Sequence, residues 1–212
     1  MKKKVLISIT SYDRKEMLLN LIKQLDGYDL VVWDDNSNFS IDGKFTFHKF
    51  YKNYGKRLAW RKFQRIFDFL LKDYSEYDYY FILPDDIILC DDFVNKSIEI
   101  YKKIEDNRKI CLSLLSDIRV ENMNWTGTHP VVKGDVIHTN WSDLCFMFEK
   151  KFLEEVDMKE VPTDRWDGNP KLGSGVGSVI SRDLYRKNFN QYHVTETLCT
   201  HGGHKSKMNH HE

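Results

Sequence analysis

The sequence predicts a three-layer α/β fold built on a mainly parallel sheet. Three observations point there. Strand-like apolar runs alternate with amphipathic helical stripes through the first half. The runs are apolar throughout rather than alternating, as strands covered on both faces are. Polar or acidic residues stand where each run stops. At 212 residues the chain is long enough to bury a sizeable core. It is expected to form one domain over 1–212, with a first half, 1–117, and a second half, 118–212. Lys plus Arg and Asp plus Glu are equal at 32 each, so no global field draws nucleic acid or a membrane surface. A local basic patch is still open.

Val5 to Ile9 reads as the first strand and Thr10 to Asp13 as a polar turn. Asp13 and Glu16 have the spacing of a capping box. Leu18, Leu21, Ile22 and Leu25 mark the helix face that follows, and Gly27 its end. Leu30 to Trp33 is the second strand and stops at Asp34-Asp35. Phe45 and Phe47 alternate with polar positions, which suits a more exposed third strand. After a turn at Asn53 to Lys56, Phe63, Ile66, Phe67, Leu70 and Leu71 stripe a long helix. Tyr79 to Leu83 is the central strand and stops at Pro84-Asp85-Asp86. Val94, Ile98, Tyr101 and Ile104 line another helix, and Ile110 to Leu115 is another strand. In the second half, Glu121 to Ser142 and Val161 to Ser174 read as loops and Leu144 to Phe148 as a short strand. Helices are expected over Lys150 to Val156 and Val179 to Lys187, then a strand over Tyr192 to Leu198 and a His/Gly/Lys tail.

Cys90, Cys111, Cys145 and Cys199 are scattered without a Cys-x-x-Cys pair, as in a reduced intracellular protein. Val5 to Ile9 is too short an apolar stretch, after Met1 to Lys4, for a signal peptide or membrane anchor. The expectation is a cytoplasmic protein with no membrane partner.

The chemistry starts from the two Asp-Asp pairs. Adjacent carboxylates repel unless water or a cation neutralises them. The carboxyl ends of strands are where open α/β sheets bind ligands, and hard oxygen donors there suit Mg²⁺ or Mn²⁺ bound together with a phosphate. Asp34, Asp35, Asp85 and Asp86, with Thr10, Ser11, Tyr12 and Arg14 after the first strand, are expected to converge on one crevice.

Four segments carry a resemblance: Val5 to Arg14, Val31 to Ser37, Asn53 to Lys56 and Phe81 to Leu89. In order and spacing they resemble the nucleotide-sugar-binding half of GT-A fold glycosyltransferases, nearest the large family 2 type. The resemblance implies a Rossmann-like three-layer sandwich and a nucleotide-diphosphate sugar donor, a UDP-sugar foremost. In such enzymes the first strand's turn and the D-D-x-S segment hold the nucleoside, which implies Thr10, Ser11, Tyr12, Arg14 and Asp34 or Asp35. The D-x-D segment binds a divalent ion that bridges the diphosphate. Its last Asp matches Asp86, and its middle residue matches Asp85, a candidate for the sugar or a metal-bound water; Pro84 replaces its first Asp. Asn53 and Arg57 fall beside the nucleotide. Leu198 to Ser206 resembles the L-x-x-H-x-G-x-x-S ending of several such enzymes, which makes His201 a metal ligand or diphosphate contact. Lys205 and Ser206 would meet the departing diphosphate. An imidazole ligand suits Mn²⁺ better than Mg²⁺.

An inverting transferase needs a carboxylate base near the acceptor hydroxyl. Where the family carries a Glu-Asp pair, this chain has Gly173 to Ser178, with no acid. The nearest acids, Asp164 and Asp167, are both candidates, with Asp167 favoured by its flanking Trp166 and Gly168; failing both, the mechanism is retaining. The irregular second half is expected to be the acceptor side, and Trp125, Trp141 and Trp166 are candidates for stacking on a sugar or base. The Ser206-Lys207-Met208-Asn209 ending resembles compact phage-type transferases that glycosylate hydroxymethylated DNA bases, which would act in the host cytoplasm. A saccharide or protein acceptor is the alternative. An inactive nucleotide-sugar-binding module would account for Pro84 and the missing Glu-Asp pair. A nucleotidyltransferase would need a Gly-rich phosphate loop that Thr10 to Arg14 lacks. Lys56, Arg57, Arg61 and Lys62 read as a solvated helix face or as cations beside the nucleotide.

Overall fold

The computed structural model describes residues 3–55, 58–115, 130–142, 145–158 and 176–202. The first half alternates as expected: β1 (Val5–Ser11), α1 (Lys15–Gln24), β2 (Asp29–Asp34), β3 (Thr46–Lys49), α2 (Ala59–Asp73), β4 (Tyr79–Pro84), β5 (Ile87–Leu89), α3 (Phe93–Lys103) and β6 (Lys109–Ser113). The second half adds β7 (Val131–Lys133), β8 (Val136–His138), β9 (Phe146–Phe148), α4 (Lys150–Glu155), α5 (Val176–Arg186), β10 (Asn190–Val194) and β11 (Cys199–His201).

Nine strands form one sheet in the order β3-β2-β1-β4-β9-β6-β10-β8-β7. The β3, β2, β1 and β4 run is parallel. β9 then enters antiparallel between β4 and β6, β10 returns parallel to β6, and β8 and β7 finish the edge antiparallel. The chain steps outward from β1 to β3, then comes back to place β4 on the other side of β1. That reversal opens a crevice between the carboxyl ends of β1 and β4, the ligand position in open α/β sheets.

Alternation along the strands makes the three layers. Ile7 and Ile9 of β1, Val32 of β2 and Phe81 and Leu83 of β4 pack with Leu18 and Leu21 of α1 and Val94 and Ile98 of α3. Leu6, Val31, Trp33, Tyr80 and Ile82 face the opposite way, onto α2, α4 and α5. Phe148 anchors this second layer, stacked on Phe152 at 4.2 Å and on Tyr80 at 5.5 Å between ring centroids. Residues spaced for both faces of a sheet therefore fill two separate cores.

Three local expectations change. The capping box does not form: the N-cap of α1 is Arg14, with no side-chain capping bond. Asp13 takes a left-handed φ of 53° instead, and its N–H donates to Ser37 Oγ. The stretch expected to be loop up to Ser142 contains the β7–β8 hairpin, turned at Gly134 with φ 60°. The strand expected over Tyr192 to Leu198 stops at Val194, and β11 pairs separately with β5 in a two-stranded ribbon. All four cysteines are free thiols. Among the described residues no helix is long and apolar enough to cross a membrane.

Candidate active site

The parallel register sets the strand ends side by side. Ser11 pairs with Asp34 across β1 and β2, and Thr10 pairs with Pro84 across β1 and β4. Just beyond, Asp35 N–H donates to Ser11 O at 2.8 Å and Asp85 N–H to Thr10 O at 3.1 Å. Both acidic pairs thus hang from the first strand, and Thr10 contributes through its backbone.

Asp85 is held from three sides. Its Oδ2 accepts from Ser11 Oγ at 2.8 Å and Tyr12 N–H at 3.2 Å, and its Oδ1 accepts from Arg14 Nη1 at 3.1 Å. Burial pushes its carboxyl up to about 6; the Ser11 hydroxyl and the Arg14 charge oppose that rise, and the Asp86 charge adds to it. Asp86 stands further out, its side chain 17% exposed, with Oδ2 2.5 Å from the same Arg14 Nη1. The guanidinium is the cation that lets two neighbouring carboxylates coexist.

The distant histidine arrives through β11. Antiparallel pairing of β11 with β5 sets His201 opposite Ile87, and Gly202 N–H donates to Asp86 O at 2.8 Å. His201 Nδ1 lies 3.8 Å from Asp86 Oδ1, on a side chain 62% exposed. Residues 115 positions apart in sequence therefore meet at one rim.

The first acidic pair has a different environment. Asp34 and Asp35 are fully buried. Asp34 accepts from Ser37 N–H at 2.8 Å and Ser37 Oγ at 2.5 Å. Asp35 accepts from Tyr54 N–H at 2.8 Å and from Lys62 Nζ at 3.2 Å. Each of their four oxygens thus has a donor from within the chain. Lys62, 4% exposed, is no part of a solvated helix face; it is the buried counter-ion of Asp35. The sequence left Lys62 among surface or nucleotide-side cations and gave Ser37 no role of its own, although Lys62 lies four residues before Ile66 on the apolar stripe of α2. Asn53 precedes Tyr54 in the loop that reaches Asp35. Arg57, Asp164, Asp167, Lys205 and Ser206, with Lys56, Trp125 and Trp166, lie outside the described residues. Trp141 is half-buried, and its carbonyl accepts from His193 Nε2 at 2.8 Å.

A divalent ion bound mainly by protein needs a cage, and among the described residues no group of three or more His, Cys, Asp or Glu side chains gathers. An ion bound together with phosphates needs only one or two protein ligands. A carboxylate oxygen of Asp86 facing an imidazole nitrogen of His201 fits that second case, and the mixed O and N donor set suits Mn²⁺.

The sheet order, with its antiparallel strand beside β4, and the acidic rim define a GT-A type, Rossmann-like fold. Among solved structures the chain is similar to glucosyl-3-phosphoglycerate synthase from Mycobacterium tuberculosis in complex with phosphoglyceric acid. The TM-score is 0.54 at 12% identity, over 96% of this chain and 73% of that one. It is similar too to that synthase in complex with Mn²⁺ and uridine-diphosphate-glucose, with a TM-score of 0.51 at 11% identity, over 96% and 72% of the two chains. No protein-family model matches the chain, and no curated protein matches it in sequence.

Proposed function

We propose that the protein is a divalent-metal-dependent glycosyltransferase that moves a sugar from a nucleotide-diphosphate donor, a UDP-sugar foremost, to a hydroxyl acceptor. One observation carries the reading: Ser11, Tyr12, Arg14, Asp85, Asp86 and His201 converge on the crevice between β1 and β4 of a GT-A type sheet. The synthase it resembles in fold is known in complex with Mn²⁺ and uridine-diphosphate-glucose. In this reading residues 1–117 bind the donor and 118–212 the acceptor. Tyr12 and Asn53 line the nucleoside end. Asp86 and His201 would hold Mn²⁺ or Mg²⁺, which when bound neutralises the diphosphate as it leaves. Asp85 keeps Arg14 and the Tyr12 turn in place. Arg57, Lys205 and Ser206 are assigned to the diphosphate, and Asp167 or Asp164, the acids nearest before α5, to the base.

For the acceptor we favour a hydroxymethylated base in DNA. Residues 43–67 contain no Asp or Glu and, besides the buried Lys62, seven Lys or Arg, in a chain of zero net charge. Within that run Tyr51 is 71% exposed, with Lys52 Nζ 5.5 Å and Arg65 Cζ 5.8 Å from its ring centre. An exposed aromatic ring among cations suits a phosphate backbone with an unstacked base.

The test incubates the protein with UDP- and GDP-sugars, Mn²⁺ and three acceptors: hydroxymethylated duplex DNA, an oligosaccharide and a hydroxylated peptide. Release of nucleotide diphosphate with sugar on an acceptor is the expected result. Tight donor binding without turnover on any acceptor would mean an inactive binding module. With DNA the reaction should weaken steeply as salt rises, and with the oligosaccharide it should not.

A further inference from the structure

Arg14 already pairs with Asp86, the carboxylate assigned above to the divalent ion. Its Nη1 is 2.5 Å from Asp86 Oδ2 and 3.1 Å from Asp85 Oδ1, and the side chain is 9% exposed. It is also fixed at its root. It is the N-cap of α1, and the preceding Asp13 is pinned through its N–H to Ser37. A guanidinium bound to a carboxylate and a divalent ion bound to the same carboxylate are two cations within a few ångströms, and they repel. The ion enters readily only if Arg14 has another anion to turn to. A diphosphate provides one, because the planar guanidinium fork pairs with phosphate oxygens as well as with carboxylates. Asp85, deeper and held by Ser11 and Tyr12, accepts from the same Nη1 and remains a partner for the guanidinium when Asp86 is given up.

We propose that Arg14 is a resident counter-ion that competes with the divalent ion for Asp86, so that the ion binds appreciably only together with the nucleotide diphosphate. Arg14 is here a positioning residue: it holds Asp86 between turnovers and passes it to the ion when a donor arrives. The proposal rests on the donor site described above and predicts how binding is coupled within it.

The test measures Mn²⁺ affinity by electron paramagnetic resonance of the free ion, with and without UDP, in the wild type, Arg14→Gln, Arg14→Lys and Asp86→Asn. In the wild type, Mn²⁺ alone should bind weakly and UDP should tighten it at least about tenfold. Arg14→Gln, with its neutral side chain, should bind Mn²⁺ alone about tenfold more tightly than the wild type, with most of the UDP enhancement gone. Arg14→Lys keeps the charge and should stay near the wild type. An Arg14→Gln protein whose affinity for Mn²⁺ alone equals or falls below that of the wild type overturns the proposal. If Arg14→Gln does not fold, arginine-labelled ¹⁵N NMR of the wild type decides. The Arg14 side-chain signal, assigned with Arg14→Lys, should move when Mg²⁺ and UDP are added together, and a signal that stays put overturns the proposal. Asp86→Asn separates the levels. Unchanged Mn²⁺–UDP binding in that variant defeats the site itself, whereas lost binding there with wild-type behaviour in Arg14→Gln defeats only the exchange.

Discussion

Asp34-Asp35 and Asp85-Asp86 look alike in the sequence and stand at strand ends on either side of β1, yet the structure uses them in opposite ways. Asp34 and Asp35 are wholly enclosed and satisfied by Ser37, Tyr54 and Lys62. Asp85 and Asp86 share one arginine at the rim, and Asp86 turns its other oxygen toward His201. Paired carboxylates at a strand end therefore do not share one environment. What decides is where the compensating cation comes from. Lys62 rises from the buried face of α2 and cannot leave without unfolding its neighbours. Arg14 comes from the turn before α1 at the rim, where the proposed exchange would let an incoming ligand replace it.

The sharpest test of that contrast is to remove one acid from each pair. Asp35→Ala strands Lys62 without a partner in the core, and breaking a buried pair from one side costs about 3–5 kcal/mol. The loss should appear as a lower midpoint in urea denaturation. Replacing both partners with apolar residues, Asp35→Leu with Lys62→Met, should recover most of it, because it is the uncompensated charge that destabilises. Asp86→Ala should behave in the reverse manner. Arg14 keeps Asp85, so stability should change by less than about 1 kcal/mol. Mn²⁺-dependent UDP binding, read by calorimetry, should fall on the order of a hundredfold, equivalent to roughly 2.7 kcal/mol. If both variants lose the same stability, the two pairs are not different in kind.

Within the rim pair, Asp85 also ties stability to pH. Burial raises the folded-state value of Asp85 to about 6, above its ordinary carboxylate value near 3.8. Between these values the folded protein binds more protons than the unfolded chain, so stability must fall as pH rises. The contribution is fully present below about pH 4 and is lost as pH passes through about 6; its size is on the order of 3 kcal/mol. Urea midpoints across pH 4 to 7 should show this slope, and Asp85→Asn should flatten it. A slope that persists in Asp85→Asn would place the titration elsewhere.

The first half was legible because its signals are long and bounded. Runs such as Val5 to Ile9 and Tyr79 to Leu83 are apolar for a whole strand and stop at charged residues, and helix stripes such as Phe63 to Leu71 repeat over several turns. The meeting of Asp86 with His201 was legible only through the resemblance, since no periodicity links positions in β5 and β11. The β7–β8 hairpin escaped notice because three-residue strands carry no period, although Gly134-Asp135 between Val-Val-Lys and Val-Ile-His is a two-residue turn signal. The capping box misled for a physical reason. Arg14 is drawn to the acidic rim, and a competing contact with Ser37 turned Asp13 away from the helix. Lys62 was hidden by its charged neighbours Lys56, Arg57 and Arg61, which made a solvated face look natural.

Ser37 offers the finest adjustment, because it touches both sides of the comparison. Its N–H and Oγ serve Asp34, and the same Oγ accepts Asp13 N–H at 2.6 Å, just before Arg14. Ser37→Ala removes the hydroxyl and leaves Asp34 Oδ1 buried with one donor fewer, which should cost about 1 kcal/mol of stability. Because Asp13 also loses its acceptor, the turn that aims Arg14 should loosen, and UDP affinity in the presence of Mn²⁺ should drop a few-fold by calorimetry. Ser37→Thr keeps the hydroxyl and should restore both quantities together. A Ser37→Ala protein that loses stability while binding UDP as the wild type does would show that the buried pair and the rim pair are mechanically separate, and that Arg14 is held by the rim carboxylates alone.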